Sequence, residues 1–164
     1  ATAGIHIKYD LDRIKRADPR LPMHPHYAFD TNVIILTLFP GIQENIIRNA
    51  LSTPGLKAVI LKTYGSGNAP QKPWFIKLLT EVTQRGIVIV NISQCPTGTV
   101  EMARYETGIH LLDAGVISGY DATVECVLTK LMFLLGHDLT PQEIRNEMSR
   151  SLAGEITRPE MPTR

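Results

Sequence analysis

The sequence has few cysteines, almost no net charge and no long apolar stretch. Its 164 residues include two cysteines, Cys95 and Cys126, and 17 basic against 16 acidic residues, for a formal net charge of +1. The longest apolar stretch, residues 33–39, is interrupted by Thr37 and falls far short of the ~20 residues that cross a bilayer. These absences argue against a disulfide scaffold, a membrane span and a basic nucleic-acid-binding surface. We therefore expect neither membrane nor nucleic acid as a partner, and the small number of cysteines indicates a reducing compartment.

The composition is that of a globular domain with an appended arm. Hydrophobic residues make up 43% of the chain and charged residues 20%, which are ordinary values for a folded protein. Residues 1–30 contain three prolines and show neither helical nor strand periodicity. We therefore predict an extended arm or interdomain linker over residues 1–30, one α/β domain over residues 31–154, and a tail over residues 155–164.

Apolar runs alternate with helical patterns in the central part of the chain. Residues 33–38, 58–61 and 87–90 are rich in valine, isoleucine and leucine, which is typical of strands buried on both faces. Helical spacing of apolar residues separates them, and residues 116–117 supply a further short strand. The pattern predicts a three-layer α/β fold of flavodoxin or Rossmann type, with a small parallel sheet of about four strands flanked by helices.

Local signals predict where the later helices begin and end. Gly115 fits the position after a helix, and Asp121 can cap the start of the next one. Thr140, followed by proline and then by Glu143 three residues on, predicts a capping box. Lys130 lies within the helix that follows Asp121 and is expected at the surface.

Three loops follow the strands and meet at the carboxyl edge of the sheet, where open parallel sheets bind ligands. They are rich in glycine, asparagine, serine and threonine, which suits a small polar ligand. The loop at residues 65–70 begins as G-x-G but ends in Pro70, and no Gly-Lys-Ser/Thr follows, so a nucleotide site is disfavoured. The loop either presents the amide of Asn68 to a ligand or simply makes a tight turn.

Other reactive side chains give weaker signals. Cys95 follows the third strand, but none of the five histidines lies on these loops, so a pocket wall is favoured over a nucleophile. His24 and His26 suggest a metal, but neither cysteine nor carboxylate lies close by in the sequence, and a linker is preferred. No metal or cofactor is expected. The polar cluster at residues 101–107 fits an exposed helix start and a ligand or interface role equally well; its charged and polar members are Glu101, Arg104, Tyr105, Glu106 and Thr107.

Residues 64–70, YGSGNAP, resemble the Y-G-x-G-N-A-P loop of type I, cytoplasmic-type L-asparaginases. The likeness continues through residues 85–95, 105–108 and 114–131 and keeps their order over nearly the whole chain. It corresponds to the smaller C-terminal domain of the family and to the linker before it. The resemblance implies that the chain is one domain of an enzyme that hydrolyses asparagine to aspartate and ammonia.

The resemblance also implies roles for particular residues. The family's nucleophile lies in G-G-T-I-G and a second essential threonine in G-T-D-T, and neither string occurs in these 164 residues. We therefore expect no catalytic residue in this chain, and an N-terminal asparaginase domain and further copies, in a dimer or tetramer, as partners. Asn68 matches the asparagine that reaches the substrate across a subunit interface. Lys62, Ser93 and Cys95 stand where better-known members with an allosteric asparagine site have Arg, Thr and Cys. The alternatives are a non-catalytic, flavodoxin-like regulatory module and a nucleotide-binding domain.

Overall fold

A computed structural model describes most of the chain. The described residues are 2–11, 14, 16–104 and 106–157. Tyr105 of the predicted polar cluster and residues 158–164 of the predicted tail lie outside them, as does the side chain of Arg104.

Strands and helices alternate along the described part of the chain. They are, in order, β1 (Thr2–Ala3), β2 (Ile7–Lys8), β3 (Val33–Thr37), α1 (Glu44–Leu51), β4 (Ala58–Thr63), α2 (Pro73–Gln84), β5 (Val88–Ser93), a 3-10 helix (Met102–Arg104), α3 (Glu106–Asp113), β6 (Ile117–Ser118), α4 (Val124–Leu135) and α5 (Pro141–Met148).

The main sheet has four parallel strands in the order β3-β4-β5-β6. Consecutive strands are neighbours, so each of α1, α2 and α3 connects one strand to the next in the same direction. Right-handed crossovers of this kind place their helices on one face of the sheet. The described residues after β6 contain no further strand, and their helices α4 and α5 cover the opposite face.

Two apolar clusters, one on each face, form the core. Val59, Leu61 and Ile89 of the sheet pack with the buried side chains of α1, α2 and α3. Ile60 and Val90 project to the other face, where they pack with residues of α4 and α5. This alternation explains the continuous apolar runs, because a strand that is covered on both faces needs apolar residues at every position. The predicted three-layer α/β fold is confirmed.

The third strand of the sheet is longer than its apolar run. The sequence predicts a strand over residues 87–90 followed by a loop, but β5 continues to Ser93, and Asn91 is fully buried. Its Oδ1 accepts a hydrogen bond of 2.6 Å from Thr63 Oγ1, and its Nδ2 donates one of 3.2 Å to the Gly67 carbonyl. A buried amide is tolerated when such partners satisfy it. These partners lie on other segments of the chain, which is why the local pattern missed them.

The capping box predicted at the start of α5 is confirmed. Thr140 Oγ1 accepts from the backbone N–H of Glu143, and the Glu143 carboxylate accepts from the backbone N–H of Thr140. The prediction that Asp121 caps α4 is wrong, because Thr123 is the N-cap and accepts from the backbone N–H of Cys126. Asp121 instead accepts a hydrogen bond of 2.7 Å from the backbone N–H of Thr157.

Lys130 is buried, contrary to the surface position expected from the sequence. Its side chain is 7% exposed, and its Nζ lies 2.7 Å from Oε1 of Glu155, whose side chain is 10% exposed. Nζ also donates to the carbonyls of Met148 and Arg150. The ammonium thus joins the middle of α4 to the end of α5 and to the segment that follows. An apolar helix surface can carry this charge because three oxygen atoms surround it.

We predict that Glu155 makes the stability of the chain depend on pH in the acid range. Burial alone would raise the pKa of this carboxyl, but Lys130 and the backbone N–H groups of Leu152 and Ala153 lower it to about 2. Because a free glutamate has a pKa near 4.3, this contribution is complete above about pH 4.3 and is lost as the pH falls toward 2. Between pH 4.3 and pH 2 we expect urea unfolding to lose about 2 kcal/mol more in the wild type than in Glu155→Gln. Equal losses in both proteins would contradict this prediction.

Candidate functional site

The carboxyl edge of the sheet carries a tight turn that follows β4. Tyr64 and Asn68 form an isolated antiparallel bridge, in which the backbone N–H of each donates to the carbonyl of the other at 2.9 and 2.8 Å. Two further contacts hold the turn from outside: Ser93 Oγ donates to the Gly65 carbonyl at 2.6 Å, and the backbone N–H of Glu101 donates to the Ser66 carbonyl at 3.0 Å. The turn is therefore anchored to β5 and to the segment that follows it.

Gly67 allows this turn to approach the sheet. Its φ is +109°, and a Cβ atom there would lie 2.8 Å from Cγ1 of Val100 and 3.3 Å from Nδ2 of Asn91. Only glycine adopts such a backbone conformation without strain and leaves room for these neighbours. The G-x-G pattern thus serves the packing of the turn that carries Asn68.

The side chain of Asn68 is oriented by a residue from another element. Thr107 Oγ1, in the first turn of α3, donates a hydrogen bond of 2.7 Å to Asn68 Oδ1. An amide whose oxygen is bound in this way has a determined orientation, with its NH2 group on the opposite side. Among the described residues no acceptor binds this NH2 group, so it is free to donate to a ligand. Of the predicted polar cluster, Thr107 therefore joins Asn68, whereas Glu106 lies exposed at the start of α3.

A cleft lies beside this turn, between the carboxyl ends of β4 and β5 and the start of α4. Lys62, Ser93 and Cys95 all line it, and its volume is about 240 Å³. Ser93 lines the cleft and also contacts the turn, because its hydroxyl donates a hydrogen bond to the Gly65 carbonyl. The thiol of Cys95 is exposed, and its backbone N–H donates to Ser93 Oγ at 2.9 Å. The structure thus brings the three residues implied by the resemblance into one cleft, which Ser93 joins to the turn that carries Asn68.

The sequence argument missed the acidic wall of this cleft. Asp121 and Glu125 line it together with Lys62. The pKa of the Glu125 carboxyl is lowered by hydrogen bonds from its own backbone N–H and from the Thr123 side chain, and also by the charge of Lys62. The cleft therefore presents basic and acidic side chains together to a small ligand. The topology could have revealed these residues. Because β6 is parallel to the other strands, the helix that follows it, α4, begins at the same carboxyl edge of the sheet.

In the part of the chain that the structure describes, neither a membrane span nor a group of metal ligands accompanies this site. Within residues 2–11, 14, 16–104 and 106–157, no helix has the length and hydrophobicity needed to cross a bilayer. In the same residues, histidine, cysteine, aspartate and glutamate form no group of three or more that could hold a metal ion.

Comparison with known proteins gives a consistent result. Residues 32–148 match the family model of the glutaminase/asparaginase C-terminal domain. L-asparaginase 1 of Escherichia coli is 45% identical over 156 residues, which are 94% of this chain and 45% of that protein. The 60 kDa lysophospholipase of Homo sapiens is 37% identical over 165 residues, which are 100% of this chain and 28% of that protein.

Solved structures have the same fold. L-asparaginase I of Vibrio cholerae superposes with a TM-score of 0.76 at 44% identity, over 80% of this chain and 39% of that one. The thermostable L-asparaginase of Thermococcus kodakarensis gives a TM-score of 0.75 at 35% identity, over 88% of this chain and 44% of that one. The chain therefore spans less than half the length of the relatives that it matches.

Proposed function

Because the chain belongs to the glutaminase/asparaginase C-terminal domain family, we propose that it is the C-terminal domain of an L-asparaginase. In this proposal it completes the active site of an N-terminal domain that supplies the nucleophile. The enzyme is a cytoplasmic homo-oligomer, and Asn68 of one subunit reaches the asparagine bound in another. Asparagine is hydrolysed there to aspartate and ammonia.

The anchored and oriented amide of Asn68 is the observation that carries this proposal. The turn at residues 64–68 is anchored on two sides, and Thr107 binds Asn68 Oδ1. A donor that is held in this way suits the carboxylate or amide oxygen of a small amino acid. An anchored donor also loses little conformational entropy on binding, which favours affinity.

A chimera tests the proposal directly. In E. coli L-asparaginase 1, the segment that matches this chain is replaced by the chain itself, and this protein is called the chimera below. We expect the chimera to release ammonia from asparagine, whereas the chain alone and the E. coli protein lacking the segment should not. A folded chimera that assembles like the E. coli protein and releases no ammonia would overturn the proposal.

We further propose that the cleft of Lys62, Ser93 and Cys95 is a second asparagine site, which regulates the enzyme. The α-carboxylate of asparagine would face Lys62, and its α-ammonium would face Glu125 across the cleft. Ser93 supports a link to the active site, because its hydroxyl bonds the turn that carries Asn68. A lysine binds a carboxylate as a point charge, without the two parallel hydrogen bonds of an arginine.

Lys62→Met should weaken regulation of the chimera by asparagine. Loss of a hydrogen bond between charged groups costs about 1.5–3 kcal/mol, so the asparagine concentration at half-activation should rise about 10- to 100-fold. The rate of ammonia release is measured against asparagine concentration. Lys77→Met, on the exposed side of α2, serves as the control. An activation curve that is the same in Lys62→Met and Lys77→Met would contradict the regulatory role.

A further inference from the structure

The end of the N-terminal arm is docked on the last turn of α4. The backbone N–H of Asp30 donates to the Met132 carbonyl at 2.9 Å, and the ring of Phe29 meets the ring of Phe133 with centroids 6.1 Å apart. Gly136 makes the close approach possible, since a Cβ atom there would lie 2.5 Å from the carbonyl oxygen of the arm residue before Phe29. The backbone of the arm is thus held in place by contacts that involve no histidine.

This docking brings two histidines together. Nε2 of His137 lies 3.1 Å from Nδ1 of His26, and Nδ1 of His137 lies 2.6 Å from the Phe133 carbonyl. A carbonyl oxygen only accepts hydrogen bonds, so the proton of neutral His137 is on Nδ1. Its Nε2 therefore directs a lone pair toward His26.

We propose that His26 and His137 bind one zinc-class transition-metal ion that fastens the arm to α4. Two imidazole nitrogens bound tetrahedrally at 2.0–2.1 Å are about 3.3–3.4 Å apart, close to the 3.1 Å observed. His26 needs only to carry its proton on Nε2 instead of Nδ1, which leaves its charge unchanged. Water completes the coordination, because the described residues offer no third ligand.

The surroundings of His137 favour this assignment. A histidine that binds a metal commonly donates its other N–H to a backbone carbonyl, which orients the ring and makes the ligating nitrogen more basic. The Phe133 carbonyl has this position. His26 is exposed and His137 half-buried, so an ion can reach both nitrogens from solvent. The sequence could not reveal the pair, because 111 positions separate the two residues.

Calorimetric titration of the untagged chain with Zn²⁺ tests the proposal. We expect one saturable ion per chain in the wild type, and no such binding of Mg²⁺, which prefers oxygen ligands. His26→Ala and His137→Ala should each weaken Zn²⁺ binding at least tenfold, as expected for loss of one of two ligands. His110→Ala, on α3, should bind as the wild type does.

A second measurement reports on the arm itself. Zn²⁺ should slow hydrogen exchange of the Asp30 amide, which bonds the Met132 carbonyl, in the wild type but not in His26→Ala. His26 is exposed on the arm, so this variant tests the site even if His137→Ala folds poorly. Absence of saturable Zn²⁺ binding in the wild type, or equal binding by His26→Ala and the wild type, would overturn the proposal.

Discussion

Lys130→Met should lower the free energy of unfolding by about 3–5 kcal/mol, which is typical when one partner of a buried ion pair is removed. The methionine fills most of the same volume, so the loss comes from the charge. Glu155 would remain with its side chain 10% exposed and without its ammonium partner. The carbonyls of Met148 and Arg150 would lose their donor as well.

Urea unfolding at neutral pH measures this loss. Lys77→Met removes an ammonium from an exposed position on α2 and should change the free energy of unfolding by about 0.5 kcal/mol or less. Lys130→Met combined with Glu155→Gln should lose less than the sum of the two single variants, because no buried charge is left alone. If Lys130→Met were as stable as Lys77→Met, the buried pair would contribute nothing.

In the chimera, Asn68→Ala should lower kcat/KM for asparagine about 10- to 100-fold. The variant removes a hydrogen bond to a charged or strongly polar substrate group, which is worth about 1.5–3 kcal/mol. The turn itself should survive, because its bridge uses the backbone of Tyr64 and Asn68. Ammonia release at several asparagine concentrations gives the measurement. An unchanged kcat/KM would show that Asn68 does not reach the substrate.

Variants of Thr107 test whether the orientation of the Asn68 amide matters, and not only its presence. Thr107→Val keeps the shape of the side chain but removes the donor to Asn68 Oδ1, so it should reproduce part of the Asn68→Ala loss. Thr107→Ser restores the hydroxyl and should restore most of the activity. Asn49→Ala, on the exposed side of α1, is the control for Asn68→Ala, because it replaces an asparagine that lies outside the site. A merely structural role of Thr107 would lower stability in Thr107→Val without changing kcat/KM.

The sequence predicts the layers of this fold because their signals are local. The apolar runs of β3, β4 and β5 each lie within a few residues, and so does the capping box at Thr140 and Glu143. Strands that are buried on both faces and a side chain that bonds its own helix end need no knowledge of distant residues. These features could therefore be read along the chain.

The errors concern polar residues whose partners are distant in the sequence. Asn91 continues β5 because Thr63 and Gly67 satisfy its amide. Lys130 is buried because Glu155 lies beside it. In both cases a local rule predicts that a polar residue is exposed, whereas a tertiary contact stabilises it in a buried position.

The candidate site shows the same division. Asn68 could be singled out from its loop, since a glycine turn at the end of a buried strand points to the ligand-binding edge of the sheet. Its orientation by Thr107, and the acidic wall that Asp121 and Glu125 add to the cleft, depend on how α3 and α4 pack. Topology predicts at which edge of the sheet α3 and α4 begin, but it does not predict the side-chain contacts that these helices make.

The ion pair of Lys130 and Glu155 also bears on the order in which the chain is made. During synthesis β3, β4, β5 and β6 leave the ribosome in the order in which they pair, so the sheet can assemble strand by strand as it emerges. Lys130 emerges with α4, 25 positions before the carboxylate that it needs. Until Glu155 appears, α4 can rest on the sheet only with an unmatched ammonium at its buried side. A variant truncated before Glu155 therefore lacks the carboxylate that this ammonium needs, and we expect it to be less stable than a chain that includes Glu155.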